Sequence, residues 1–376
     1  MLNYEFPPVG GGTGVACDHL LRAFESSRDV EVELLTSGMG RETVTERRSP
    51  SVLIRRLPVG KRALNFWTAG ELARWGLQAD RWVGRMLRES PFDLCHCWGG
   101  WPAGILGHRR RRQLPYLVAL RGSDVPGYSA RLARLDPLFL ARVSRAIWRE
   151  SAGVVAVSRE LRTLALRTDP DRVIEVIPNG TDTHLFSPGP SPAPFTVLFV
   201  GRLIPRKAAV DAIVAFARIA EEVPEARMLV AGDGPEEPAL RARVRELKLE
   251  GAVRFLGHVP YERLPEIYRS ASVFVMTSTR EGMPNVVLEA MASGLPIVAT
   301  ETAAELIDGN GFTVPVADPP ALARAILRYA REPELRERHG HRSRMLAEDS
   351  SWDRVASWYL ELYRRIVGQR GGERPS

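Results

Sequence analysis

Two carboxylates, two cations and a run of glycines are the residues whose types and spacing could do chemistry here. Glu281 and Glu289 stand eight apart in Glu281-Gly282-Met283-Pro284-Asn285-Val286-Val287-Leu288-Glu289. Eight residues make about two helical turns, which would bring both carboxylates near one face over about 11 Å. A helix opening at Pro284 would leave the amides of residues 283–286 at its positive end, a site for an anion. Carboxylates that accept from hydroxyls, beside amides for a phosphate, suit a ligand carrying both, such as a sugar nucleotide. A solvated helix face gives the same bare Glu-x7-Glu spacing. Arg202 and Lys207 stand five apart in Gly201-Arg202-Leu203-Ile204-Pro205-Arg206-Lys207. Between a strand and a helix, two such cations can clamp a diphosphate.

The elements that must position these residues read as strand, loop and helix in alternation. Residues 273–276 are a short buried strand, a polar turn follows, and a helix carrying Val287, Leu288, Ala290 and Met291 ends at Gly294 before the strand 295–299. Open parallel sheets bind ligands at such carboxyl-end loops. Strands at 195–200, 228–231 and 253–256 lead into Gly201-Arg202, Gly232-Asp233-Gly234 and Gly257-His258-Val259. In the first half, residues 1–6 form a short strand-like piece before Pro7-Pro8-Val9-Gly10-Gly11-Gly12-Thr13-Gly14, and a helical pattern follows. Glycine there allows positive φ or close approach to a ligand. Further strands fall at 30–36, 92–97, 116–120, 153–158 and 173–177. Amphipathic helices fall at 72–87, 136–148 and 352–367. The prolines of residues 187–194 deny ladder and helix bonds and mark a junction. Residues 368–376 read as a disordered tail.

With 376 residues the chain can hold two domains, each with its own core. No apolar run approaches the length that spans a bilayer, and the start does not read as a signal peptide. Three cysteines, Cys17, Cys95 and Cys97, make no disulfide framework and fit a reducing cytoplasm. Cys95-His96-Cys97 falls in a strand, which points the thiols one way and the imidazole the other; no metal site is expected. The net charge of +7 is uneven. Residues 1–187 hold 27 Lys and Arg against 20 Asp and Glu, and the remainder 25 against 25. Phosphate-bearing ligands or peripheral contact with an anionic membrane suit that excess, as does arginine-rich genomic composition, since only three lysines occur. No basic strand interleaved with aromatics supports nucleic acid.

The stretch Glu281-Gly282-Met283-Pro284-Asn285-Val286, with Glu289 and then Ala290-Met291-Ala292, resembles the signature of the family 4 retaining glycosyltransferases. The resemblance covers nearly the whole chain. It implies an α/β protein of the GT-B fold, two doubly wound parallel-sheet (Rossmann-like) domains facing across a cleft. Residues 1–187 would be the acceptor-side domain and 188–351 the nucleotide-sugar domain, with 352–376 a helix returning to the first domain plus a tail. The resemblance assigns catalysis to Glu281, Arg202 and Lys207, the cations on the donor diphosphate and Glu281 on the sugar hydroxyls. It assigns donor binding also to Gly12, Gly201, Gly232, Val259, Gly282, Met283, Pro284 and Asn285, and the ribose to Glu289. Gly11, Thr13, Arg121 and Asp124 fall on the acceptor side. Many relatives have histidine in place of Arg121, where it contacts the transferred sugar; an arginine could instead hold an anionic group bidentately. The first strand is short for the family, and a Gly-Gly before Asn310 is absent.

The expected function is transfer of a sugar, with retention, from a UDP- or GDP-sugar to a hydroxyl of a glycan, a lipid-linked or a small-molecule acceptor. No cofactor or metal is expected beyond the nucleotide-sugar co-substrate. The expected place is the cytoplasm, with peripheral contact at the cytoplasmic face of a membrane. A nucleotide-sugar epimerase or hydrolase of the same fold, or a non-catalytic sugar-nucleotide binding subunit, are the alternatives.

Overall fold

The computed structural model describes residues 1–61, 64, 67–128, 139–190 and 192–371. The chain divides into two units, Met1–Asn179 with Trp352–Ser376, and Gly180–Ser351. The second unit thus begins ahead of the proline run. Phe186 explains this: it is buried among the rings of Tyr261 and Tyr268 at 5.4 and 5.6 Å, and its carbonyl accepts from Arg344 Nη1 at 2.8 Å.

In the first unit, β1 (Val32–Gly38) pairs parallel with β3 (Val52–Pro58), and β2 (Val44–Ser49) pairs antiparallel with β3. The arginine-rich residues 44–58 therefore form a hairpin. Four further strands run parallel in order: β4 (Cys95–Trp98), β5 (Tyr116–Leu120), β6 (Gly153–Ala156) and β7 (Glu175–Val176). Leu2 bridges parallel to Leu35 and to Cys97, so a single residue occupies the place of a strand between β1 and β4.

The helices of this part are α1 (Gly12–Glu25), α2 (Ala69–Glu89), α3 (Ala103–Arg110), α4 (Ala141–Arg149) and α5 (Arg159–Thr168). Thr68 and Glu71 form a capping box at the start of α2. Of the helix expected at 136–148, Asp136, Pro137 and Leu138 lie outside the described residues. Two arginines of α4 are tied to the end of α5: Arg145 Nη2 donates to the Thr168 carbonyl at 2.6 Å, and Arg149 forks onto Asp169.

The second unit holds one fully parallel sheet of β8 (Thr196–Val200), β9 (Arg227–Ala231), β10 (Val253–Gly257), β11 (Val273–Met276), β12 (Ile297–Thr300) and β13 (Gly311–Val314). Its spatial order is β10-β9-β8-β11-β12-β13, which reverses between β8 and β11. In such sheets the ligand crevice opens at that reversal, beyond the carboxyl ends of the strands. Val197, Phe199, Val273 and Val275 pack on one face; Leu198, Val200, Phe274 and Met276 pack on the other. Strands buried on both faces read as continuous apolar runs, as these do.

The helices of this unit are α6 (Ala209–Glu222), α7 (Glu237–Glu246), α8 (Leu264–Arg269), α9 (Asn285–Ala292), α10 (Pro319–Arg331) and α11 (Pro333–Glu348). Ile213, Phe216 and Ile219 of α6 cover the first face with Ile326 of α10, and Val287, Leu288 and Met291 of α9 cover the second. Each such side chain, fully buried, contributes about 1.5–3 kcal/mol.

The last helix, α12 (Trp352–Gly371), belongs to the first unit, as the resemblance implies. Val355, Tyr359, Leu362 and Ile366 join Leu20, Leu21 and Phe24 of α1 in one core. The helix runs through Gly371, so the tail expected from 368 is helical for its first four residues, and residues 372–376 lie outside the described ones. Among the described residues no helix is long and apolar enough to cross a membrane.

Candidate active site

The loops leaving β8, β9 and β10 are stitched side by side by their backbones. Gly201 N donates to Ala231 O at 2.9 Å, Leu203 N to Asp233 O at 2.7 Å, and Gly232 N to Gly257 O at 2.7 Å. Gly232 has φ of +129°, and a Cβ there would stand 2.0 Å from the Gly201 carbonyl oxygen. Only glycine permits that approach. Gly201, Gly232 and the turn carrying half-buried Val259 therefore share one edge of the second unit.

Beside that edge, Pro205–Lys207 forms a short 3-10 turn, and Ala208 follows in the left-handed region at φ of +46°. The Thr277 hydroxyl, just after β11, lies 2.9 Å from the carbonyl oxygens of both Lys207 and Ala208 and pins this turn to the next loop. The two loops then meet through charge. Lys207 Nζ lies 2.6 Å from Glu281 Oε1, and Arg206 Nη1 lies 3.1 Å from Oε2. Glu281 is only 8% exposed. Burial works to raise its carboxyl, but the Lys207 ammonium and the Arg206 guanidinium outweigh burial and hold it below the ordinary carboxylate value. Burial lowers the Lys207 ammonium, with Arg206 and Arg202 adding to that against the pull of Glu281. The firm member of the pair is the carboxylate: it is ionised at neutral pH. The Arg202 side chain is exposed and, among the described residues, makes no hydrogen bond or ion pair. Two cations, Lys207 and Arg206, thus hold one anion, and the charge of Arg202 acts on Lys207.

The glutamates do not share a helix face. Pro284 keeps an extended ψ of 102° at the N-cap, so α9 begins at Asn285, Glu281 stays in the loop, and Glu289 lies about one turn in. No side chain caps this helix start, where Gly282, Met283 and Asn285 are half-buried. Glu289 points into the unit: it is 7% exposed and accepts from the Tyr268 hydroxyl at 2.8 Å. Burial pushes its carboxyl up to about 7, against the lowering effect of that hydrogen bond. Arg206 and Tyr268 are absent from the sequence assignment. Arg206 could have been noticed beside Lys207; Tyr268 carries no local signal, since it reaches Glu289 across 21 residues.

In the first unit, Gly11 is the N-cap of α1, with Gly12 and Thr13 its first residues; the Gly11 amide lies 3.4 Å from Glu5 Oε2. Arg121 follows β5, donates to Asn179 Oδ1 at 2.5 Å and lies 4.8 Å above the Trp98 ring. Asp124 is buried and its carboxylate serves the loop itself. Oδ1 accepts from the Arg121 and Gly122 amides at 2.9 and 2.8 Å, and Oδ2 from the Gly100 amide at 2.8 Å. Burial raises its carboxyl more than these amides lower it. Asp124 is thus a brace for the loop bearing Arg121, with its acceptor positions already occupied.

Residues 194–332 match the family described as "Glycosyl transferases group 1", and residues 11–180 the "Glycosyl transferase 4-like domain". The chain is 33% identical to a D-inositol 3-phosphate glycosyltransferase of Kribbella flavida over 404 residues, covering 96% of this chain and 88% of that protein. It is 26% identical to the phosphatidyl-myo-inositol mannosyltransferase of Mycolicibacterium smegmatis over 97% of this chain and 92% of that one. Among solved structures, a sucrose-phosphate synthase from Thermosynechococcus elongatus superposes with a TM-score of 0.82 at 24% identity, covering 96% of this chain and 94% of that one. Anabaena HepE, solved with UDP and glucose, gives 0.73 at 18% identity over 96% and 97% of the two chains. The chain belongs to glycosyltransferase family 4, with the GT-B fold.

Proposed function

We propose that this glycosyltransferase moves a sugar from a UDP- or GDP-linked donor to an acceptor hydroxyl with retention at the anomeric carbon. The observation that carries the reading is the pair Arg206 and Lys207 on Glu281, with Arg202 close enough to act on Lys207, at the strand-order reversal of the second sheet. As the bond from the anomeric carbon to the diphosphate oxygen breaks, negative charge grows on the leaving phosphate. Arg202 and Lys207 stabilise it, and one well-placed donor of this kind is worth about 3–4 kcal/mol. Glu281 accepts from hydroxyls of the donor sugar, and Glu289 accepts from the ribose. The acceptor hydroxyl attacks the face the diphosphate leaves, and its proton passes to the departing phosphate oxygen. With cations supplied by side chains, turnover proceeds without a divalent metal. On the acceptor side Arg121, whose hydrogen-bond partner is a neutral amide, suits an anionic group.

Relatives and fold neighbours support the class: their names print inositol phosphate, phosphatidyl-inositol, UDP and glucose as what those proteins act on or hold. The test is incubation of the chain with a panel of UDP- and GDP-sugars, following nucleoside diphosphate release with and without EDTA. Slow release from one donor, unchanged by the chelator, is the expected result. Loss in EDTA restored by Mg²⁺ removes the metal-independent mechanism, and epimerisation of the donor without acceptor replaces the transferase reading.

A further inference from the structure

Glu281 faces two cations, and only Lys207 has a part in the reaction described above. Arg206 Nη1 holds Glu281 Oε2 at 3.1 Å and the Arg280 carbonyl at 2.6 Å. The Arg206 carbonyl in turn accepts from Thr279 N at 2.9 Å, so both ends of this residue fasten the turn after β8 to the loop after β11. The Arg206 side chain is 33% exposed, against 13% for Lys207 and 8% for Glu281.

The exchange asked of Lys207 creates a difficulty. Its ammonium is committed to Glu281 Oε1 at 2.6 Å, and a diphosphate that draws on the same charge leaves the carboxylate with less of it. A carboxylate as enclosed as Glu281, left without a counter-charge, takes up a proton or moves, because an unpaired buried charge is costly. A protonated Glu281 loses an acceptor for sugar hydroxyls. Arg202 does not fill the gap, since it is exposed and makes no bond to Glu281. Arg206 is placed to do so on the opposite carboxylate oxygen.

We propose that Arg206 is a positioning residue for the donor: it keeps Glu281 ionised and in place while the diphosphate draws on the charge of Lys207. Arg206 makes and breaks no covalent bond in this step. The inference rests on the reading of these loops as the donor site.

The test uses the full chain as Arg206→Ala, Arg206→Gln and Arg206→Lys, each assayed for turnover across pH with the donor that the wild type uses. Gln keeps a donor for the Arg280 carbonyl but not the charge, so it separates fastening from ionisation. In Arg206→Gln the acid limb of kcat should move to higher pH by about one unit, a tenfold effect on the acid side, with thermal unfolding near that of the wild type. Arg206→Ala should show the same shift, and Arg206→Lys should restore the limb. An unshifted acid limb in both Gln and Ala, with wild-type kcat, overturns the inference while leaving the donor site intact. Absence of turnover by the wild type with every sugar nucleotide overturns the donor-site reading, and the inference with it.

Discussion

Lys207 in the second unit and Arg121 in the first both sit in loops beyond the carboxyl end of a parallel strand, largely enclosed, with a buried carboxylate at hand. Lys207 spends its charge on Glu281, which Arg206 shares. Arg121 bonds the neutral oxygen of Asn179, while the nearby Asp124 gives both oxygens to backbone amides of Gly100, Arg121 and Gly122. A carboxylate saturated by amides builds a loop; one held by side-chain cations shares its charge with groups that have other donors to offer. In the proposed donor site the second unit therefore holds the charge that turnover would redistribute. In the first, burial lowers the Arg121 guanidinium, and among the described residues no acid hydrogen-bonds it directly.

The largest effect should come from Lys207→Ala. Its loss should slow turnover at saturating donor by roughly a hundredfold, the worth of one leaving-group stabiliser. A rate unchanged at saturating donor would take Lys207 out of the clamp and erase the contrast with Arg121.

The next effect is in pH. In the proposed donor site Glu289 accepts from the ribose most strongly when ionised, and burial raises its carboxyl to about 7. Donor affinity should fall about tenfold for each pH unit below about 7, and calorimetric titration of Glu289→Gln should give a weak but level profile. The stability sign runs the other way. The folded-state value lies above the unfolded one, so the folded chain holds this proton more tightly, and stability is lost as pH rises from about 4.5 to about 7. Glu289→Gln should remove that slope from the unfolding midpoint.

Asp124→Asn tests the brace. One of its two oxygens becomes an amide nitrogen that cannot accept, so a buried backbone N–H loses its partner and the first unit should lose about 1–3 kcal/mol in denaturant unfolding. The smallest effect is expected from Arg121→Gln, which removes a buried charge that no acid among the described residues hydrogen-bonds. Its unfolding free energy should stay within about 1 kcal/mol of the wild type, whereas Lys207→Met, which strips a partner from Glu281, should cost more. Equal costs would dissolve the distinction between the two sites.

Much of the second unit was legible in the sequence because strands buried on both faces leave continuous apolar runs, and 273–276 is one of these. Its loop residues were legible because Gly201, Arg202, Lys207 and Glu281 stand at strand ends. Contacts between loops were not. Arg206 meets Glu281 across 75 residues and Tyr268 meets Glu289 across 21, and neither distance leaves a periodicity. Glu281 was legible as a residue of the loop before the helix, but Pro284 keeps an extended ψ and α9 starts at Asn285, so Glu289 lies about one turn in and not two. In the first unit, β2 escaped notice as a strand because Thr45, Glu46, Arg47 and Arg48 give it no buried face, and the strand-like piece read at residues 1–6 pairs on both sides through Leu2 alone.

The cysteines give the chain a clock that runs for one half only. Cys17, Cys95 and Cys97 are its only thiols; all are buried, and all lie in the first unit. Burial pushes the Cys17 thiol up to about 12, so at neutral pH a labelling reagent meets neither a thiolate nor a path to it. Modification of Cys17 must wait until the first unit opens, and its rate then times that opening. The second unit, which has no sulfhydryl, can unfold or hold firm without moving the hand.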